Sequence, residues 1–173
     1  MQNENSEKRV DRRTFLTYLN FALGGFISVA LGIPLVGSLV LPTLKQREAI
    51  WSPAGPIGDY PLGQPKAATV TVTIRDGWIE RQEAKGIWVV RNSQEGFTVL
   101  NGRCVHLGCA YSWVESQKEF LCPCHAGRYS LDGKVLSGPP PRPLDNLEWR
   151  VEGGNLMVRY QDFRLGIPQK EVA

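Results

Sequence analysis

The sequence is poor in the two residue types that most often bind transition metals. It contains four cysteines and two histidines among 173 residues. Four cysteines are too few for a disulfide scaffold of this length, so we expect them to belong to a functional site rather than to cross-link the whole fold. The net charge of +3 is small and dispersed, which argues against a nucleic-acid partner. The sequence also lacks internal repeats and low-complexity tracts.

A second absence marks the N-terminal part of the chain. Residues 1–13 are polar and basic, whereas residues 14–44 contain no charged side chain. About 20 apolar residues are enough to cross the hydrocarbon core of a bilayer as a helix. A buried core helix is usually shorter and carries one polar face. The pattern therefore predicts a transmembrane anchor over residues 14–44, retained in the membrane because no convincing cleavage site follows it.

The charges before this span predict its orientation. Lys8, Arg9, Arg12 and Arg13 precede it, and the positive-inside rule places such a cluster in the cytoplasm. The rest of the chain is then expected on the outer face of the plasma membrane. The segment around the arginine pair also resembles a twin-arginine signal, which exports proteins already folded around their cofactors. Residues 1–13 are interpreted as a cytoplasmic, twin-arginine-like N-terminus.

The remaining chain divides into a linker and a β-rich region. Residues 45–65 are rich in proline and glycine and lack helical or strand periodicity, which predicts a flexible tether. Residues 66–173 contain short alternating runs such as Val70–Ile74, with turn signals such as Asp76-Gly77. This region is predicted to be an all-β domain, either a small antiparallel sandwich or a partly open barrel. Three tryptophans in strand patterns are expected in its core: Trp78, Trp88 and Trp149.

All six cysteines and histidines lie in a loop-rich stretch, residues 102–143, between two groups of predicted strands. The motifs Cys104-x-His106 and Cys122-x-x-His125 offer two sulfur and two nitrogen ligands. Such a set suits a tetrahedral zinc ion or an iron–sulfur cluster. Two thiolates on one iron and two imidazoles on the other is the arrangement of a Rieske [2Fe–2S] centre.

Three runs carry a family resemblance: CVHLGC at residues 104–109, CPCHAGRY at 122–129 and GPPPRPL at 138–144. They resemble the cluster-binding subdomain of the Rieske iron–sulfur proteins of cytochrome bc-type quinol-oxidising complexes. The resemblance implies a Rieske-type β domain with an inserted cluster-binding subdomain at 102–143, plus one N-terminal transmembrane helix. It implies one [2Fe–2S] cluster bound by four ligands: Cys104, His106, Cys122 and His125. A Cys109–Cys124 disulfide would tie the two ligand loops together, and Tyr129 would donate to a ligand sulfur.

The same resemblance implies a function in electron transfer. His106 and His125 would contact a membrane quinol at the cytochrome b subunit, and the electron would pass to a c-type cytochrome haem as the head moves on its tether. Such subunits belong to dimeric multi-subunit complexes in the lipid bilayer. Pro139, Pro140 and Pro141 resemble the rigid loop that covers one side of the cluster.

Two positions depart from the family pattern. Val105 stands where a threonine is often found, which we interpret as a packing change. Ala126-Gly127 stands where Gly-Ser is common, so the serine hydroxyl that donates to a cluster sulfide is missing at Gly127. A lost donor to the cluster lowers its reduction potential. A lower potential suits menaquinol, which gives up electrons more readily than ubiquinol, so a menaquinol-oxidising complex is expected.

Other interpretations remain open on sequence alone. The small subunit of an arsenite oxidase-type molybdoenzyme also pairs a Rieske motif with an export signal. A zinc-stabilised, membrane-tethered binding domain would use the same four ligands without catalysis. A Rieske ferredoxin of an oxygenase fits less well, because it needs neither an anchor nor the two further cysteines. Leu107 either docks against another subunit or fills the gap between the loops.

Overall fold

The computed structural model describes residues 11–44, 50–76 and 79–173 of the chain. The chain forms two compact units, one ending at Arg47 and the other beginning at Glu48. In the first, a single helix, α1 (Arg12–Leu44), contains the predicted anchor. Within its stretch Arg12–Leu41, an 18-residue segment has a mean hydropathy of 2.0 and contains no buried residue, so the helix is long and apolar enough to cross a membrane.

The second unit is built from antiparallel strands, as predicted for an all-β domain. The described strands form two three-stranded sheets and one four-stranded sheet. Their bounds are β1 (Trp51–Pro56), β2 (Pro65–Asp76), β3 (Ile79–Arg91), β4 (Phe97–Asn101), β5 (Ser112–Val114), β6 (Glu119–Cys122), β7 (Gly127–Tyr129), β8 (Val135–Ser137), β9 (Glu148–Glu152) and β10 (Asn155–Arg159).

The two three-stranded sheets, β1-β10-β9 and β2-β3-β4, share one hydrophobic core and form the base of the domain. Alternating residues of β3, β4 and β10, such as Val89, Val99 and Val158, are buried in it because successive strand residues point to opposite faces. At one edge the sheets join, since the Leu147 amide donates to the Val99 carbonyl at 2.8 Å. The predicted sandwich of small antiparallel sheets is confirmed.

The predicted tether is wrong from residue 51 onward. Trp51–Pro56 is strand β1, and it pairs with β10 from Trp51 opposite Arg159 to Pro56 opposite Asn155. Proline cannot donate to a ladder, but β1 lies at the edge of its sheet and its register shifts between Pro53 and Gly55, where proline is tolerated. The domain therefore begins before the predicted residue 66. The first part of the predicted tether, residues 45–49, lies outside the described residues.

The four-stranded sheet, β5-β6-β7-β8, is inserted between β4 and β9 and forms a cap on the base. The chain leaves the base and returns to it at neighbouring points, where the Asn101 amide donates to the Asp145 carbonyl at 2.8 Å. The cap has a core of its own, and Trp88 packs against it, whereas Trp149 packs against the base core. Trp78 lies outside the described residues.

Candidate metal centre

The first ligand loop runs from the end of β4 to the start of β5 and closes on itself. The Cys104 amide donates to the Cys109 carbonyl at 2.8 Å, and the Gly108 amide donates to the Cys104 carbonyl at 2.8 Å. Gly108 has a φ of +80°, a left-handed conformation that glycine adopts without strain. The loop buries Cys104, leaves His106 half-buried and exposes Leu107 by 62%. Leu107 therefore does not fill the gap between the loops.

The second ligand loop is the hairpin turn between β6 and β7. Its last paired residues are Cys122 and Gly127, so the turn consists of residues 123–126. Cys122 faces the cap core and is 2% exposed, whereas His125 is exposed. Ala126 has a φ of +53°, which is unusual for a residue with a side chain and indicates local strain.

The fold brings all four predicted ligands together from these two loops. The His106 and His125 rings meet edge to face, with their centroids 4.8 Å apart. In the same two loops, Cys104 and Cys122 are free, buried thiols. The pKa of the Cys122 thiol is raised, mainly by burial, although the backbone N–H groups of Cys124 and His125 act in the opposite direction. Such N–H donors stabilise a thiolate, which is the form that binds a metal.

The predicted disulfide is confirmed, since Cys109 and Cys124 are bonded to each other. It joins the first ligand loop to the second across 15 residues of sequence. The sulfur atoms of Cys109, Cys122 and Cys124 all lie within 4.8 Å of one another. Two of these three sulfurs are consumed by the disulfide and offer no thiolate. The ligands that remain are two thiols and two imidazoles, which fit a [2Fe–2S] cluster of the Rieske type.

Tyr129 contacts Cys104, the first of the proposed ligands. Its hydroxyl oxygen is 3.0 Å from the Cys104 sulfur, and its side chain is fully buried. Burial, and then the neighbouring Cys104, raise the pKa of Tyr129 well above its usual range. The phenol therefore keeps its proton, and it is the donor of this hydrogen bond whenever Cys104 is a thiolate.

The proline loop abuts the second ligand loop. Pro140 is buried, whereas Pro139 and Pro141 are exposed. A Cβ atom at Gly127 would lie 2.9 Å from Pro140 Cγ and 3.7 Å from Cys122 Cβ. The first distance is shorter than van der Waals contact allows, so a side chain at Gly127 and a proline at 140 exclude one another in this arrangement.

Sequence reasoning missed three polar residues that hold the cap to the base. Asn101 is buried, and its side chain donates to the Gln161 carbonyl and accepts from the Arg103 amide. Arg142 and Asp145 form a buried ion pair just after the proline loop. An arginine and an aspartate three residues apart in a proline-rich stretch look like an ordinary solvated pair, so only the three-dimensional packing identifies this one.

Comparison with known proteins gives concordant findings. The model of the Rieske [2Fe–2S] domain family matches residues 51–148. The menaquinol:cytochrome c reductase iron–sulfur subunit of Geobacillus thermodenitrificans is 32% identical over 159 residues, covering 88% of this chain and 93% of the relative. The cytochrome b6-f complex iron–sulfur subunit of Chlorobaculum thiosulfatiphilum is 30% identical over 148 residues, covering 86% and 75%.

Among solved structures, this chain is similar to the plasma membrane Rieske protein of the cyanobacterium Synechocystis PCC 6803. The identity is 26% with a TM-score of 0.43, covering 62% of this chain and 98% of that one.

Proposed function

Since this chain belongs to the Rieske [2Fe–2S] domain family, we propose that it is a one-electron carrier that oxidises a membrane quinol and reduces a c-type cytochrome. It carries one [2Fe–2S] cluster and is the iron–sulfur subunit of a quinol:cytochrome c oxidoreductase, as its relatives are. Its partners are the cytochrome b and cytochrome c components of a cytochrome bc-type complex, which we expect to be dimeric.

The observation that carries this proposal is a pair of adjoining imidazoles in the same two loops that hold two buried, free thiols. Cys104 and Cys122 would hold the cluster through their sulfurs, and His106 and His125 would hold it through one ring nitrogen each. When bound, the cluster supplies a one-electron centre in the range of roughly −150 to +300 mV. Tyr129 donates to the Cys104 sulfur, and the disulfide holds the two ligand loops next to each other.

The free ring nitrogens of the two histidines are the contacts to the quinol. His125 is exposed and His106 is half-buried, so a quinol hydroxyl can reach an imidazole and donate a hydrogen bond to it. An electron added next to an imidazole raises its affinity for a proton. The imidazole that accepts the hydrogen bond therefore holds the quinol proton at its free nitrogen as the electron leaves the quinol, and it releases that proton after onward electron transfer.

Menaquinol is the proposed quinol. No hydroxyl is available at Gly127, and Pro140 occupies the space that its side chain would need. Loss of a donor to the cluster lowers the potential, and a lower potential matches the more reducing menaquinol. The names of two relatives, both menaquinol:cytochrome c reductase subunits, support the same assignment.

The orientation of the chain is proposed from its charges and its disulfide. Disulfides persist in oxidising compartments outside the cytoplasm, so the domain with the Cys109–Cys124 bond belongs on the outer face of the plasma membrane. Arg12 and Arg13 at the start of α1 then remain on the cytoplasmic side.

A redox titration followed by low-temperature EPR tests the proposal. We expect a Rieske-type signal from a protein with two irons and two acid-labile sulfides per chain. The His125→Asn variant should lose this signal, while an exposed-residue variant such as Glu148→Gln keeps it. A colourless protein that contains zinc would overturn the function. Reduction of the cluster, followed as the appearance of its EPR signal, by a ubiquinol analogue as rapidly as by a menaquinol analogue would overturn the choice of quinol.

A further inference from the structure

Arg142 places a charged side chain in an almost fully enclosed position. It is 6% exposed, and its guanidinium makes four hydrogen bonds. Two go to the Asp145 carboxylate, from Nε to Oδ1 at 3.1 Å and from Nη2 to Oδ2 at 2.8 Å. The other two go to main-chain carbonyls, from Nη2 to Arg164 at 2.8 Å and from Nη1 to Ile167 at 2.6 Å. The planar guanidinium matches this set of acceptors, and a lysine ammonium would not.

The two carbonyls belong to the C-terminal brace, which we define as residues 162–167. The brace lies against the first ligand loop. Its Gly166 amide donates to the Val105 carbonyl at 2.9 Å, and Val105 is the residue between the two ligands of that loop. Leu165 packs beside Gly108, where an added Cβ would lie 2.8 Å from Leu165 Cδ1. The brace therefore contacts the first ligand loop at Val105, between its two ligands, and at Gly108, in its turn.

Arg142 is also connected to the second ligand loop. It follows the proline loop, whose Pro140 is packed against Gly127 at the end of the second loop. The Asp145 carboxylate that neutralises Arg142 belongs to the residue whose carbonyl accepts the Asn101 amide at the junction of cap and base. One guanidinium thus joins the proline loop, the cap–base junction and the C-terminal brace.

We propose that Arg142, acting through the C-terminal brace, is a positioning residue that sets the place of the first ligand loop relative to the second. A buried arginine–carboxylate pair is weak evidence for stability, because an apolar pair of similar size often serves a fold as well. Its four satisfied hydrogen bonds instead define where the brace carbonyls lie. The brace amide then defines where the main chain between Cys104 and His106 lies.

The inference rests on the ligand set proposed above, and spectroscopy separates positioning from folding. The full-length Arg142→Met and Arg142→Lys variants, assembled in their complex, should retain a cluster with shifted EPR g-values and a shifted midpoint potential. The cluster should also be lost several-fold faster on incubation. Arg142→Lys should not rescue the wild-type spectrum, because one ammonium cannot reach both the carboxylate and the two carbonyls. Arg164→Met is the matched control, since that side chain is exposed and its carbonyl is unchanged by the substitution.

A second variant keeps the test decisive if the Arg142 variants do not accumulate. A chain ending at Phe163 removes the Arg164 and Ile167 carbonyls and the Gly166 amide but keeps the Arg142–Asp145 pair. Its spectrum should shift as in Arg142→Met, and combining the two changes should add little further shift. A wild-type spectrum and potential in either retained variant would overturn the positioning role. Absence of a Rieske signal from the wild-type chain would instead overturn the proposed function.

Discussion

At the scale of single residues, Gly127 and Pro140 form a coupled pair beside the second ligand loop. Because Pro140 Cγ lies where a Gly127 side chain would begin, the family's common serine cannot be restored alone. We predict that Gly127→Ser by itself lowers cluster content. In the Gly127→Ser/Pro140→Ala double variant, the hydroxyl has room and should raise the midpoint potential, because a donor stabilises the more negative, reduced state.

The expected rise follows from the strength of the added bond. A hydrogen bond to a charged acceptor contributes about 1.5 to 3 kcal/mol, which corresponds to roughly 60 to 130 mV for one electron. The Gly127→Ala/Pro140→Ala variant is the control, since it introduces the Cβ without the hydroxyl. Equal potentials in the two double variants would show that the hydroxyl does not reach the cluster.

Tyr129→Phe removes the donor to the Cys104 sulfur and keeps the buried ring. Its midpoint potential should fall, by up to roughly the same 60 to 130 mV, because the reduced state loses a stabilising bond. The raised pKa of Tyr129 means that the wild-type phenol is protonated below its pKa, throughout the neutral range. The difference in potential between variant and wild type should therefore be constant between about pH 6 and about pH 9. A difference that changes with pH in this range would contradict a permanently protonated donor.

At the scale of elements, the disulfide is the covalent link between the two ligand loops. A disulfide that closes a loop of 15 residues stabilises the folded domain by about 3 kcal/mol, because it restricts the conformations of the unfolded chain. We predict that Cys109→Ser and Cys124→Ser assemble less cluster and lose it faster on heating, although all four ligands remain. Iron content and loss of the EPR signal with time measure this. A Cys109→Ser/Cys124→Ser double variant should resemble each single one, because one bond is lost in all three.

The segment before β1 gives the second prediction at this scale. The motion between two partners that the family resemblance implies for the β-domain requires a tether, and β1 limits that tether to the residues before Trp51. Prolines at Gln46 and Glu48 should slow cytochrome c reduction and leave the cluster's EPR spectrum unchanged, since delivery and not chemistry is altered. Alanines at the same positions provide the control. Unaltered turnover in the proline variant would indicate that the head stays at one site.

The elements also show what the sequence could and could not predict. Strands with alternating residues, such as β3 and β10, were predictable because one face is buried. That the cysteines and histidines lie together in two neighbouring loops was predictable, because few residue types bind iron. Strand β1 was not, since its prolines and glycine mark a loop unless an edge position and a bulge accommodate them. The Arg142–Asp145 pair was not predictable either, because burial of a charge depends on packing far away in sequence.

At the scale of the whole molecule, the export route of the chain has a direct test. The Arg12→Lys/Arg13→Lys variant keeps the positive charge before α1 but removes the arginine pair. If export uses a twin-arginine signal, this variant should leave the domain in the cytoplasm, where a protease added outside the cells cannot reach it. Arg9→Lys is the control with the same charge. Normal export of the double variant would indicate that the positive-inside charge alone directs insertion.

The pairing of β1 with β10 has a consequence for biosynthesis. These strands lie about a hundred residues apart, yet every residue of β1 except Ala54 pairs with β10, the last of the described strands. The cap strands, by contrast, are joined in sequence order by short turns, and local contacts of this kind form faster than distant ones. During translation the cap has all its own strands before the base can close. Until the ribosome has released the segment 155–159, β1 has no native partner in its sheet, so the base of the β-domain closes only after the cap has been made.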